Sequence, residues 1–164
     1  MKHTPVGKNI SNYESLSPEN RMNYLNEQMF FYEPILYDIF CMHKLYCNDA
    51  ISTAFRSGQM KVEYNSKIIQ SIPLVEALDL YRTELIRILL LHPYMRKPEP
   101  FDEKTAYSAS EITIRQQPHL LEKLGLKKSE SFEYYYKNLL PKSDAENSTP
   151  QNKNDGRQQS PQQN

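Results

Sequence analysis

Two charged side chains stand where the chain is otherwise most apolar. Residues 74–93 read LVEALDLYRTELIRILLLHP, the longest apolar-rich stretch in the sequence. At about 100° per residue, Leu80, Glu84, Ile88 and Leu91 share one helix face, with Arg87 beside them. A carboxylate and a guanidinium on so apolar a face have two readings. Either they are desolvated and need partners or a function, or they form a rim pair at i,i+3 that contributes roughly a few tenths of a kcal/mol. Other chemistry-bearing sets are poorer. Cys41, His43 and Cys47 match no metal-knuckle spacing. In the helix their surroundings suggest, the two thiols stand about 9 Å apart on different faces, which excludes a disulfide. His3, His43, His92 and His119 share no spacing with a nucleophile. Lys127 and Lys128 precede Tyr134, Tyr135 and Tyr136, and basic residues among aromatics can stack bases. Three consecutive helical residues point three ways, however, so core packing accounts for the tyrosines better than nucleic-acid binding does.

The elements that would position these groups follow from periodicity and punctuation. Ser17, Pro18 and Glu19 form a helix start, followed by the apolar stripe Met22, Leu25, Met29 and Phe30. Pro34 opens a second helix that runs to about Leu45. The period then changes to two. Residues 51–55 and 60–64 alternate around Arg56–Gln59, which predicts a hairpin over 51–64 with Gly58 at the turn. Asn65 and Ser66 cap a helical turn, and Pro73 opens the central helix, which His92 and Pro93 stop. A further helix is expected over 104–117, and a last one from Ser129 or Ser131 to Leu140. The expected fold is α+β, mostly helical, with one β-hairpin and a helical core around the central helix.

Thr83, Glu84, Arg87 and His92 also sit where a His-Glu-x-x-His-x-x-x-x-His motif has its first histidine, glutamate, second histidine and last histidine. With Ala109-Ser110-Glu111 following about twenty residues later, the stretch from Arg21 to Leu140 resembles the zincin-like metallopeptidase domains that often precede a von Willebrand factor A-like domain in bacterial proteins. In that motif two imidazoles at i and i+4 hold zinc while the glutamate activates water. The resemblance implies a zinc site here with Glu84 as its vestigial general base and Thr83, Arg87, His92 and Glu111 as the remnant of its surroundings. It further implies that the edge of the 51–64 hairpin receives an extended protein segment. The departures bear on the zinc. Threonine is a poor ligand, and a permanent guanidinium cation is not one. The expectation is therefore a metallopeptidase-like domain without metal or catalysis, acting as a protein-binding or assembly module. An active zinc peptidase and a nucleic-acid module through Lys127 and Lys128 are the alternatives. Arg87 is expected to stand in the vacated metal position between Glu84 and Glu111, with Thr83 donating a hydrogen bond at the rim.

Composition bounds the rest. The 164 residues carry 20 basic and 20 acidic side chains, so no whole-protein field draws the chain to nucleic acid or anionic membranes. No apolar run reaches the roughly 18 residues of a membrane helix, and the first residues lack a signal-peptide core. A cytoplasmic protein is the expectation. Residues 1–17 read as a loose arm, 18–141 as one domain and 142–164 as a disordered Gln/Asn-rich tail. A chain trimmed to about 15–141 is thus expected to melt within a few degrees of full length. No von Willebrand factor A-like sequence follows the domain, so the chain reads as a stand-alone or shortened relative.

Overall fold

The computed structural model describes residues 10–94 and 98–140. The expected tail and the first nine residues of the expected arm lie outside them. Among the described residues a 3-10 turn, Ile10–Ser15, leads into α1 (Pro18–Tyr32) and α2 (Pro34–Cys41). Three short strands follow: β1 (Lys44–Cys47), β2 (Phe55–Gly58) and β3 (Lys61–Tyr64). The chain continues through α3 (Ser66–Ser71), α4 (Leu74–Leu89), α5 (Glu103–Arg115), α6 (Pro118–Lys123) and α7 (Phe132–Leu139). The class is mixed α+β. No described helix is long and apolar enough to cross a membrane.

The sheet is larger than a hairpin. Its order is β1-β3-β2, with β1 parallel and β2 antiparallel to β3. The helix expected to run to Leu45 stops at Cys41. His43 folds back there, its Nδ1 2.7 Å from the Ile39 carbonyl oxygen and its Nε2 2.7 Å from the Tyr94 hydroxyl. Lys44 N–H then donates to Met60 O at 3.0 Å, so β pairing takes over from helical periodicity. Cys41 and Cys47 consequently belong to different elements, and both are exposed free thiols. The hairpin is also shorter than expected. Residues 51–54 are irregular, and the turn falls at Gln59 and Met60, whose φ values of 51° and 58° give the doubly left-handed two-residue connection that suits strand twist. Gly58 is the last residue of β2 instead.

The arm is corrected as well, because Tyr13 is 2% exposed and belongs to the core. The buried side chains form two clusters. One gathers Met22, Leu25, Val62, Ile69, Tyr81 and Leu85 from the first helices, the sheet and α4. The other gathers Ala109, Ile112, Leu121, Phe132 and Tyr135 from α5, α6 and α7. On α4 the apolar contacts run through Leu74, Ala77, Tyr81, Leu85 and Ile88. Leu80 is half-buried, and Leu91 is exposed in a left-handed conformation (φ 59°) just past the helix end.

Asp102 caps α5 by accepting from Thr105 N–H at 2.6 Å. Bonds from the Thr105 side chain and backbone hold its carboxyl below the ordinary Asp value. A depressed folded pKa means that this stabilisation is present above the unfolded value, about 3.9, and is lost as pH falls through the folded one. Asp102→Asn keeps an acceptor without the charge. The acid-side slope of its melting temperature below about pH 4 should be flatter than that of the parent, and an unchanged slope would remove Asp102 from the acid transition.

Candidate functional site

The two clusters meet at α4 and α5, and the charges singled out above lie at that seam. Glu84 and Arg87 are buried, at 2% and 5% exposure. Arg87 Nη1–H donates to Glu84 Oε2, and Nη2–H donates to Glu111 Oε2 at 2.7 Å. Its Nε–H donates to Ser110 Oγ at 2.8 Å, while the guanidinium lies 4.2 Å from the centre of the Tyr107 ring. One cation thus ties α4 to α5 by the Glu111 carboxylate, a hydroxyl and an aromatic face, while Glu84 holds it on its own helix. The other Glu84 oxygen accepts from Ser57 Oγ of β2 at 2.5 Å. Glu111 extends the chain of charges: Arg115 Nε–H donates to its Oε1, and Arg115 Nη1–H donates to Asp79 Oδ2 at 2.7 Å. Burial works against the Arg115 charge, but the bonds to Asp79 and Glu111 outweigh it and raise its pKa. Burial likewise pushes the Tyr107 phenol up, with Arg87 pulling it down in part.

His92 enters through Ser110, whose Oγ lies 2.7 Å from its Nδ1. Arg87 can only donate to that oxygen, and the hydroxyl keeps a hydrogen and a second lone pair with which to meet either tautomer of the imidazole. The His92 ring stacks on Phe132 with centroids 4.7 Å apart, which anchors the relay in the second cluster. A serine bonded to a histidine resembles a nucleophile and its base. With Ser110 only 2% exposed and its oxygen shared with Arg87, the pair suits holding the guanidinium more than attacking a substrate.

Thr83 departs from expectation. Its hydroxyl donates to the Asp79 carbonyl of its own helix at 2.8 Å and makes no rim bond to the carboxylates. A threonine inside a helix has that i−4 carbonyl within reach of its own hydroxyl. A zinc ion needs lone pairs converging on one point. Here the two carboxylates converge on a guanidinium, Thr83 faces its own backbone, and His92 reaches the cluster through Ser110. No group of three or more His, Cys, Asp or Glu side chains among the described residues is placed to hold a metal.

Glu84, Arg87, His92 and Ser110 of the cluster line an open cleft of about 1130 Å³. β2 contributes one wall through Arg56, Ser57 and Gly58, and α5 the other through Lys104, Tyr107 and Ser108. Of the second basic–aromatic set, Tyr135 and Tyr136 are in the core, at 0% and 1% exposure. Their hydroxyls donate to Lys127 O (2.8 Å) and Pro100 O (2.6 Å), which leaves Tyr134 as the half-buried member. Ser57, Tyr107, Ser110 and Arg115 were not visible as site residues from sequence. Arg115 had a readable signal, an acid–base pair at i,i+4 with Glu111. Ser57 becomes readable only once the strand is known to begin at Phe55. No protein-family model, curated protein or solved structure matches the chain.

Proposed function

We propose that this chain is a metallopeptidase-like, zincin-like module without catalytic chemistry, which binds an extended protein segment by strand addition to β2. The carrying observation is the direction of the Ser57 backbone. Antiparallel pairs alternate between hydrogen-bonded and open, and Asn65 N–H donates to Ala54 O at 3.0 Å. In this register (Phe55 opposite Tyr64, Ser57 opposite Val62) the N–H and C=O of Ser57 therefore point away from β3, toward the cleft. An added strand would bond there, directly above the Glu84 and Arg87 cluster. Arg87 between the carboxylates supports the loss of catalysis, because a permanent cation takes the place a metal would need. The exposed free thiols of Cys41 and Cys47 suit a reducing, cytoplasmic setting.

The test is selection of a random-peptide display library on the full chain. Enriched peptides should bind the parent and Ser57→Ala alike, since alanine keeps the edge N–H. Ser57→Pro lacks that donor and should bind about tenfold more weakly, the worth of one main-chain hydrogen bond. Proline at an outward-facing edge position leaves the β3 ladder intact, and circular dichroism would verify that the variant is folded. Peptides that bind Ser57→Pro as well as the parent, or a library that enriches nothing, would overturn the reading.

A further inference from the structure

The solvent face of the sheet borders the cleft through Arg56, Lys61 and Glu63, opposite Asp102, Glu103 and Lys104, and the charges on that face are unbalanced. The strand registers set Lys44 beside Lys61 and Gly58 in one cross-strand row, and Tyr46 beside Glu63 and Arg56 in the next. Three cations thus share the face with one carboxylate. Glu63 is already taken: Asn48 Nδ2–H donates to Oε1 at 2.9 Å, and Arg56 donates twice to Oε2, at 2.9 and 2.7 Å. Lys61 has its ammonium 5.5 Å from the centre of the Tyr46 ring, and no described carboxylate bridges it or Lys44. Like charges abreast across a sheet are unfavourable, and opposite charges there are favourable. The sheet's other face differs. Next to Ser57 lies Glu84, with both its oxygens bonded, and the facing wall offers Ala106 and Tyr107.

A strand laid along β2 continues both rows, because its side chains alternate between the two faces. Resting on the β2-edge reading, we infer that the bound segment alternates acidic and apolar residues. The acidic side chains lie beside Arg56 and Gly58, within the field of Arg56 and Lys61, and an apolar one opposite Ser57 turns toward Ala106 and Tyr107. The partner is a protein with an exposed acidic–apolar–acidic stretch. The added carboxylate beside Arg56 makes the row Glu63–Arg56–carboxylate, and the one beside Gly58 meets Lys61, whose ammonium has the Tyr46 ring and the field of Glu63 but no bridging carboxylate among the described residues.

Three end-blocked peptides with identical Thr-Thr flanks and the centres Asp-Val-Asp, Lys-Val-Lys and Val-Asp-Val test this by fluorescence anisotropy against the full chain. The Asp-Val-Asp peptide should bind at least about tenfold more tightly than either other. The advantage should shrink between 50 mM and 500 mM salt, as exposed charges are screened. Arg56→Ala together with Lys61→Ala should remove the preference, and Arg56→Glu should turn it toward Lys-Val-Lys. Equal binding of all three, weakened about tenfold by Ser57→Pro, would overturn the acidic–apolar assignment and leave strand addition standing. Binding of Asp-Val-Asp as tight to Ser57→Pro as to the parent would overturn strand addition and the assignment with it, and so would the failure of all three to bind.

Discussion

Arg87→Ala should cost about 3–5 kcal/mol of folding stability, the range for removing one partner of a buried ion pair. The magnitude follows from what stays behind. Glu84, with its side chain 3% exposed, loses its only cation, and Glu111 loses one of two. Ser110 keeps His92 but loses a donor, and Tyr107 loses the group over its ring. Arg87→Lys should recover part of the loss, because an ammonium offers a point charge without the planar fork that reaches two carboxylates and a hydroxyl at once. Adding Glu84→Gln to Arg87→Ala should also recover part, since it removes the stranded charge. Urea unfolding followed by circular dichroism measures all three. A loss below about 1 kcal/mol for Arg87→Ala, the scale of exposed pairs, would mean that water replaces the guanidinium freely.

That cluster was partly legible in the sequence, for a physical reason. A helix repeats every 3.6 residues, so a charge on an apolar face declares itself within one turn. Glu84 and Arg87 are visible by that rule. Ser57 and Ser110 are not, because a small hydroxyl fits a turn, a cap or a core equally well, and its partner is set by tertiary packing. Thr83 shows the same limit, since its nearest acceptor is its own helix backbone rather than the cluster. The sheet was half legible. Alternation in residues 51–55 and 60–64 predicted a hairpin, but the strand bounds and the turn type depended on positive φ at Gln59 and Met60, two residues that give no glycine signal. β1 was read as helix because Leu45 lies at helical spacing from the apolar residues of α2. Pairing with β3 and the His43 bond to Ile39 O decide otherwise.

The second large effect concerns a residue that no pattern singled out. Arg21 lies in the first turns of α1 and is 2% exposed. Its guanidinium donates to four backbone carbonyls: Glu14 O at 2.5 Å, Leu16 O at 3.2 Å, Ile69 O at 2.9 Å and Ile72 O at 3.2 Å. It also lies 4.6 Å from the centre of the buried Tyr13 ring. The chain entering α1 and the carbonyl end of α3 are therefore held by one side chain, with no carboxylate in the arrangement. Hydrogen bonds to a charged group contribute about 1.5–3 kcal/mol each when buried, and leaving carbonyls unmet adds to the loss. Some of the four sites open to water once the side chain is gone, so Arg21→Ala should cost about 2–4 kcal/mol in all. Arg21→Lys should lose most of it, because one ammonium cannot span four carbonyls on two elements. Deleting residues 1–15 should be nearly as harmful, in contrast to the trimming tolerance that composition suggested, because it removes Tyr13 and the Glu14 carbonyl together. The two changes share partners, so their combined cost should fall at least about 1 kcal/mol short of the sum. Strict additivity in that double-mutant cycle would mean that Arg21 holds α3 alone and that the turn at residues 10–15 docks independently of it.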